Sequence, residues 1–148
     1  MGSKYKGTEE EKQSLNSFIK LFRSYETVSK LVRENLSKQH LTISQFGVLE
    51  SLYHLGPMCQ NDLASKILKS GGNLTIVIDN LVKKKMLRRV KKPEDRRYYL
   101  IHLTKQGEEL ISNYFSEHVS FIQRIMSPLN MTEQKELEFL LRKLGKSN

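Results

Sequence analysis

The chain has little of what would mark several common protein classes. It holds one cysteine, Cys59, no tryptophan and three prolines among its 148 residues. A single thiol excludes an internal disulfide and every paired-cysteine metal motif, and makes the cytoplasm the expected compartment. The four histidines, His40, His54, His102 and His118, lack the one-turn spacing of a helical metal pair, so neither a metal site nor a cofactor is expected. No run of eighteen apolar residues is present, which leaves nothing to cross a membrane as a helix. Residues 1–12 are polar, include three consecutive glutamates and offer no apolar signal-peptide core. With no nucleophile–base pair, phosphate loop or metal triad in view, an enzyme is not expected.

Positive charge is present, and it is concentrated. The formal net charge is +9. The segment from Lys66 to Arg97 carries eleven basic residues against three acids, Asp79, Glu94 and Asp95, and so accounts for +8 of that total. Charge focused in this way is the footprint of a polyanion-binding surface. A solvated basic face is the competing reading, and the surrounding architecture decides between them.

Apolar residues at steps of three and four (Leu15, Phe18, Ile19, Phe22, Tyr25, Val28, Val32, Leu36) predict one long helix from Thr8 to about Ser37. Thr42, with Gln45 in the capping-box position, opens a second helix that Gly56-Pro57 ends. A short helix over about 60–67, a turn at Lys69-Ser70-Gly71-Gly72 and a helix over about 73–84 form a helix-turn-helix. Two strands follow, Leu87–Lys91 and Tyr98–Leu103, flanking a charged loop; a hairpin in that place is a wing. Thr104 caps a long helix through Met126, and Thr132 is the expected cap of the last. The predicted fold is mainly α (α+β): a winged helix-turn-helix over 42–103, with helical dimerisation segments at 8–37 and 104–146. Three amphipathic helices outside a small module leave apolar faces that a second copy buries most simply, which predicts a homodimer.

With the core positions removed, the 73–84 helix offers Asn73, Thr75, Ile76, Asp79, Asn80 and Lys83. Asn pairs bidentately with adenine, Thr contacts most bases and an aliphatic side chain suits the thymine methyl. The N-terminal residues of such a helix reach deepest, which favours Asn73, Thr75 and Ile76 as readers of double-stranded DNA. Ser70 and Gly72 sit where free backbone N–H groups and the helix dipole suit a phosphate, although turn chemistry alone also explains them. The wing carries Lys91, Lys92, Arg96 and Arg97 around Asp95. Arginine suits a narrow minor groove, and an acid placed there is best explained as an internal partner that orients an arginine.

These pieces together resemble the MarR family of multiple-antibiotic-resistance regulators. The resemblance rests on Glu94-Asp95-Arg96-Arg97 followed by a strand and Leu103-Thr104-Lys105-Gln106-Gly107. Leu41-Thr42-Ile43-Ser44-Gln45-Phe46 and Ser70-Gly71-Gly72-Asn73-Leu74-Thr75 add to it. It implies a triangular homodimer joined by its terminal helices, binding to a pseudo-palindromic operator, usually as a repressor, and Arg97 as the minor-groove arginine. Many relatives sense a small phenolic or aromatic compound in a cleft between the dimer helices and the DNA-binding lobe. Tyr25, His40, Phe46, Tyr53, His54 and Tyr114 are the candidates here, with core or interface duty as the alternative for each. Oxidant-sensing relatives use a cysteine near the start of the first helix. This chain has none there, and Cys59 reads as a small hydrophobe.

Two other functions compete. One is a regulator without a small-molecule ligand, governed by its abundance or a protein partner. The other is an RNA-associated basic protein, against which stand the lack of an RNP-type aromatic strand, of a GXXG loop between predicted helices and of tryptophan.

Overall fold

A computed structural model describes residues 4–67 and 71–146. Helix α1 (Glu9–Ser37) starts with a complete capping box: Thr8 Oγ1 accepts from the Glu11 N–H at 3.2 Å, and Glu11 Oε2 accepts from the Thr8 N–H at 2.8 Å. Glu9, Glu10 and Glu11 also complement the positive end of the helix dipole. Helix α2 (Ile43–Leu55) repeats the device with Thr42 and Gln45, and Gly56 ends it at φ +82°. There follow β1 (Met58–Cys59), α3 (Gln60–Ile67), α4 (Gly71–Lys83), β2 (Leu87–Lys91), β3 (Tyr99–Leu103), α5 (Lys105–Met126) and α6 (Met131–Lys146).

The structure departs from the sequence expectation in three places. Met58 and Cys59 form a strand rather than a bare junction: they pair antiparallel with Ile101 and Leu100, giving sheet order β1-β3-β2. Two residues carry no periodicity, and their partner lies some forty positions away. Helix α4 begins at Gly71, two residues before Asn73. The cap of α6 is Asn130, not Thr132. Asn130 Oδ1 accepts from the Glu133 N–H at 3.0 Å and Glu133 Oε2 from the Asn130 N–H at 2.8 Å. Three residues beyond Thr132 stands Lys135, which has no acceptor with which to close such a box.

The core is Leu49, Leu63, Leu74, Ile78, Leu81 and Ile101, joined by Leu36 from the end of α1 and by Ile111 and Tyr114 from the first half of α5. The segments on either side of the winged module therefore share its core. Away from it their apolar faces lie open: Phe18, Phe22 and Tyr25 of α1 are 55%, 54% and 65% exposed, and α6 buries no residue. An apolar cleft of about 710 Å³ runs between these helices, lined by Leu21, Tyr25 and Val28 of α1, Ile125 of α5 and Leu137 and Leu141 of α6. No helix among the described residues is long and apolar enough to cross a membrane.

Helix α4 closes on a Schellman turn. The Met86 N–H donates to the Leu81 carbonyl and the Lys85 N–H to the Val82 carbonyl, each at 2.9 Å, with Lys85 left-handed at φ +60°. A side chain is costly at that φ. Replacing Lys85 with glycine relieves the cost and returns part of it as freedom of the unfolded chain. Lys85→Gly is expected to raise the unfolding free energy by about 0.5–1 kcal/mol. Urea denaturation checks this, and a lowered midpoint would show that the Lys85 side chain makes a stabilising interaction larger than the backbone cost.

Candidate nucleic-acid interface

Helix α4 divides by periodicity into two faces. Leu74, Ile78 and Leu81 are buried, while Asn73, Thr75, Ile76, Asn80 and Lys83 are exposed, Ile76 to 62%. Gly72 lies in the first turn of α4, and Ser70 falls outside the described residues. Gln60, the first residue of α3, donates from Nε2 to Thr75 Oγ1 at 2.7 Å, which fixes the threonine rotamer on the exposed face.

The wing follows from the hairpin register. Leu87 pairs with Leu103, Arg89 with Ile101 and Lys91 with Tyr99, so these residues share a face, while Arg88 and Val90 share the other with His102 and Leu100. Beyond the strands the loop presents Arg96 and Arg97, with Lys91 exposed beside them and Lys92 half-buried. Arg97 is bound by a fork: its Nε and Nη2 donate to Asp95 Oδ1 and Oδ2 at 3.1 and 2.9 Å, and its backbone N–H donates to Oδ1 at 3.1 Å. These bonds hold the Asp95 carboxyl below the ordinary carboxylate range, the arginine side chain contributing most and the backbone N–H next. They likewise push the Arg97 guanidinium further up. The arginine side chain remains 85% exposed, so Asp95 orients it without hiding it.

The other two acids of the basic segment are also matched. Glu94 faces the Lys92 ammonium at 4.0 Å, and Asp79 of α4 accepts from Arg89 Nη2 across to β2. Both aspartates of that segment are thus hydrogen-bonded to arginines, while Glu94 stays largely exposed at the outer limit of an ion pair. The sequence reading found the role of Asp95 by asking why an acid stands among arginines. Sequence reasoning missed the partner of Asp79, because Arg89 lies ten residues away on another element and nothing local singles it out among the neighbouring basic residues.

A clasp beneath the wing explains the Leu103-Thr104-x-x-Gly107 motif. Thr104 Oγ1 donates to the Lys85 carbonyl at 2.6 Å and accepts from the Gly107 N–H at 3.1 Å, while the Thr104 N–H donates to the Met86 carbonyl at 3.0 Å. The first turn of α5 is thereby tied to the turn between α4 and β2.

The six residues considered for a ligand cleft fall in three places. Phe46, Tyr53, His54 and Tyr114 lie along the seam between α2 and α5. There Phe46 meets Tyr114 edge-on at 6.0 Å between centroids, and His54 meets Tyr53 at 5.1 Å. Tyr25 lines the apolar cleft of α1, α5 and α6 instead. His40 occupies the turn after α1 at φ +56°, its carbonyl accepting from Lys84 Nζ at 2.7 Å. Two further members of the seam, Phe115 and His118 of α5, were not among the residues the sequence offered for the cleft. His118 lies 4.3 Å from the Phe46 ring and Phe115 4.6 Å from His54. Burial pushes the His118 imidazole below its ordinary value, against a smaller upward pull from Glu50, and its Nδ1 has no hydrogen-bond partner among the described residues. The Tyr114 hydroxyl donates to Asn35 Oδ1 of α1, and burial raises its pKa. No group of three potential metal ligands occurs among the described residues.

Comparison with known proteins bears on this arrangement. A family model described as the MarR family matches residues 41–99. The HTH-type transcriptional regulator MhqR of Bacillus subtilis is 32% identical over 133 residues, which cover 90% of this chain and 92% of that protein. Among solved structures, the S. aureus MepR–DNA complex superposes with a TM-score of 0.79 at 25% identity, over 88% of this chain and 98% of MepR. BpsR of Bordetella bronchiseptica, whose DNA binding is regulated by 6-hydroxynicotinic acid, superposes with a TM-score of 0.77 at 27% identity, over 84% of this chain and 95% of its own.

Proposed function

This chain belongs to the MarR family of DNA-binding transcriptional regulators, and on that footing we propose that it acts as a homodimeric repressor that holds a pseudo-palindromic operator and releases it when a small aromatic compound binds. Asn73, Thr75 and Ile76 read base edges in the major groove, N-terminal end foremost. The helix N-terminus around Ser70 and Gly72, together with Lys83, Lys91 and Lys92, takes phosphates. Arg96 and Arg97 enter the minor groove, with Asp95 setting the Arg97 fork. Residues 42–103 form this lobe, and segments 8–37 and 104–146 join two copies of it. Support for the second copy is the open apolar face of Phe18, Phe22 and Tyr25 on α1 and of Phe139, Leu140 and Leu144 on α6.

The observation that carries the release step is the α2–α5 seam. Phe46, His54, Tyr114, Phe115 and His118 meet in edge-on and tilted contacts where a dimerisation helix joins the reading lobe. A planar compound that inserts among these rings favours one lobe angle over another and so shifts the population away from DNA. The ligand control named for BpsR supports regulation of this kind.

Selection of bound duplexes from a random pool is the first test, and two half-sites about 10 bp apart are expected. Phenols, aromatic acids and quinones are then titrated against the complex in an anisotropy assay. An effective compound is expected to weaken binding by about 5–150-fold. If none does while the duplex preference stands, control lies with abundance or a protein partner.

A further inference from the structure

We infer that Asp79 and Arg89 are a positioning pair that fixes the angle between the reading helix and the wing, and so sets how sharply this chain distinguishes its operator from other DNA. The inference rests on the assignment of α4 to the major groove and the wing to the minor groove.

Helix α4 and strand β2 meet through only three residues, Lys84 to Met86, folded into the Schellman turn. A joint at one end fixes where two rods meet but leaves their angle to be set elsewhere. The buried side chains of Leu87 and Ile101 anchor the inner part of the hairpin to the core, which leaves the outer part, toward the wing loop, to be braced by other contacts. Farther out, the hairpin register turns Arg89 to the same face as Leu87. From there its guanidinium reaches Asp79, one helical turn before the end of α4. Arg89 stands about 10 Å along the strand from Met86 and Lys91 about 17 Å, so the pair is closed well out along the arm that carries the wing loop. A small change in its separation is magnified at Arg96 and Arg97. The pair also has an electrostatic effect: it cancels the one acid on α4, whose bare charge would face phosphates. Both side chains remain partly exposed, at 31% and 47%, so they lie at the surface edge rather than inside the core. Their loss should bend the lobe rather than unfold it.

Asp79→Asn, Arg89→Gln and Arg89→Lys are compared with the wild type on the selected operator and on a scrambled duplex of equal length, at a temperature where circular dichroism shows each variant folded. Asp79→Asn is expected to lower the operator-to-scrambled affinity ratio roughly three- to tenfold. Its affinity for the scrambled duplex should hold or rise, since net positive charge increases by one. Arg89→Gln should lower the ratio similarly, and Arg89→Lys should recover at least half of the loss by keeping the charge within reach of Asp79. A ratio left at the wild-type value by both Asp79→Asn and Arg89→Gln overturns the inference, as does a parallel weakening on both duplexes, which marks a merely structural bond. A wild type that cannot tell operator from scrambled DNA removes the groove assignment beneath the inference, before any variant is made.

Discussion

Arg97→Ala is expected to weaken operator binding by about 10–100-fold at moderate salt and to reduce the slope of log affinity against log salt by about one. Two side-chain bonds to Asp95 hold the guanidinium, and the Arg97 backbone N–H holds the carboxylate that accepts them, so part of the side-chain entropy is already lost before binding. On the proposed wing assignment, removing the arginine deletes a groove cation, and it also leaves the Asp95 carboxylate without its principal partner. The second effect separates from the first in a double variant. Arg97→Ala combined with Asp95→Ala should bind more tightly than Arg97→Ala alone, because the stranded negative charge is gone. Anisotropy titrations at several salt concentrations measure both quantities. Wild-type affinity and slope in Arg97→Ala would show that the wing does not touch DNA.

Gly107→Ala should cost stability rather than contacts with DNA. A Cβ at this position would stand 2.2 Å from the Met86 carbonyl oxygen, a backbone atom that also accepts from the Thr104 N–H. Neither side of that contact can rotate away: one is the first turn of α5 and the other the turn joining α4 to β2. Accommodating the methyl means opening the clasp, at a cost of about 2–4 kcal/mol. For a chain of this size the melting temperature should fall by about 6–15 °C. Wild type and variant must be compared at one protein concentration, because a dimer's apparent stability depends on it. A melting temperature within a degree or two of wild type would mean that α5 shifts freely against the α4–β2 turn. The proposed transmission of ligand binding from α5 to α4 would then have to run through the aromatic seam alone.

The long helices were legible because their signals are local. Thr8 with Glu11 and Thr42 with Gln45 close capping boxes within four residues, and the apolar stripe of α1 repeats at helical spacing. The wing loop was legible for a related reason. An aspartate two residues before an arginine needs no tertiary information to become its partner, and the fork is formed within the loop. Cap and strand errors arose where a nearer or a distant partner competed. Asn130 precedes Thr132 and has the acid at the right spacing, while β1 exists only because β3 offers it an edge.

By itself, the sequence determined the order of the helices and of the two wing strands, the module that bears the basic charge and the residues on the outer face of α4, since periodicity, capping and charge density are properties of neighbours along a chain. Tertiary structure alone decided that Arg89 spans to Asp79 instead of facing outward, that Gly107 lies against the Met86 carbonyl, and that His118 and Phe115 join Phe46 and His54 in one seam. Each of those pairings unites residues on different elements. Their meeting requires those elements to be brought together around Leu49, Ile78 and Ile101, and no spacing within any one of them encodes which neighbour it will meet.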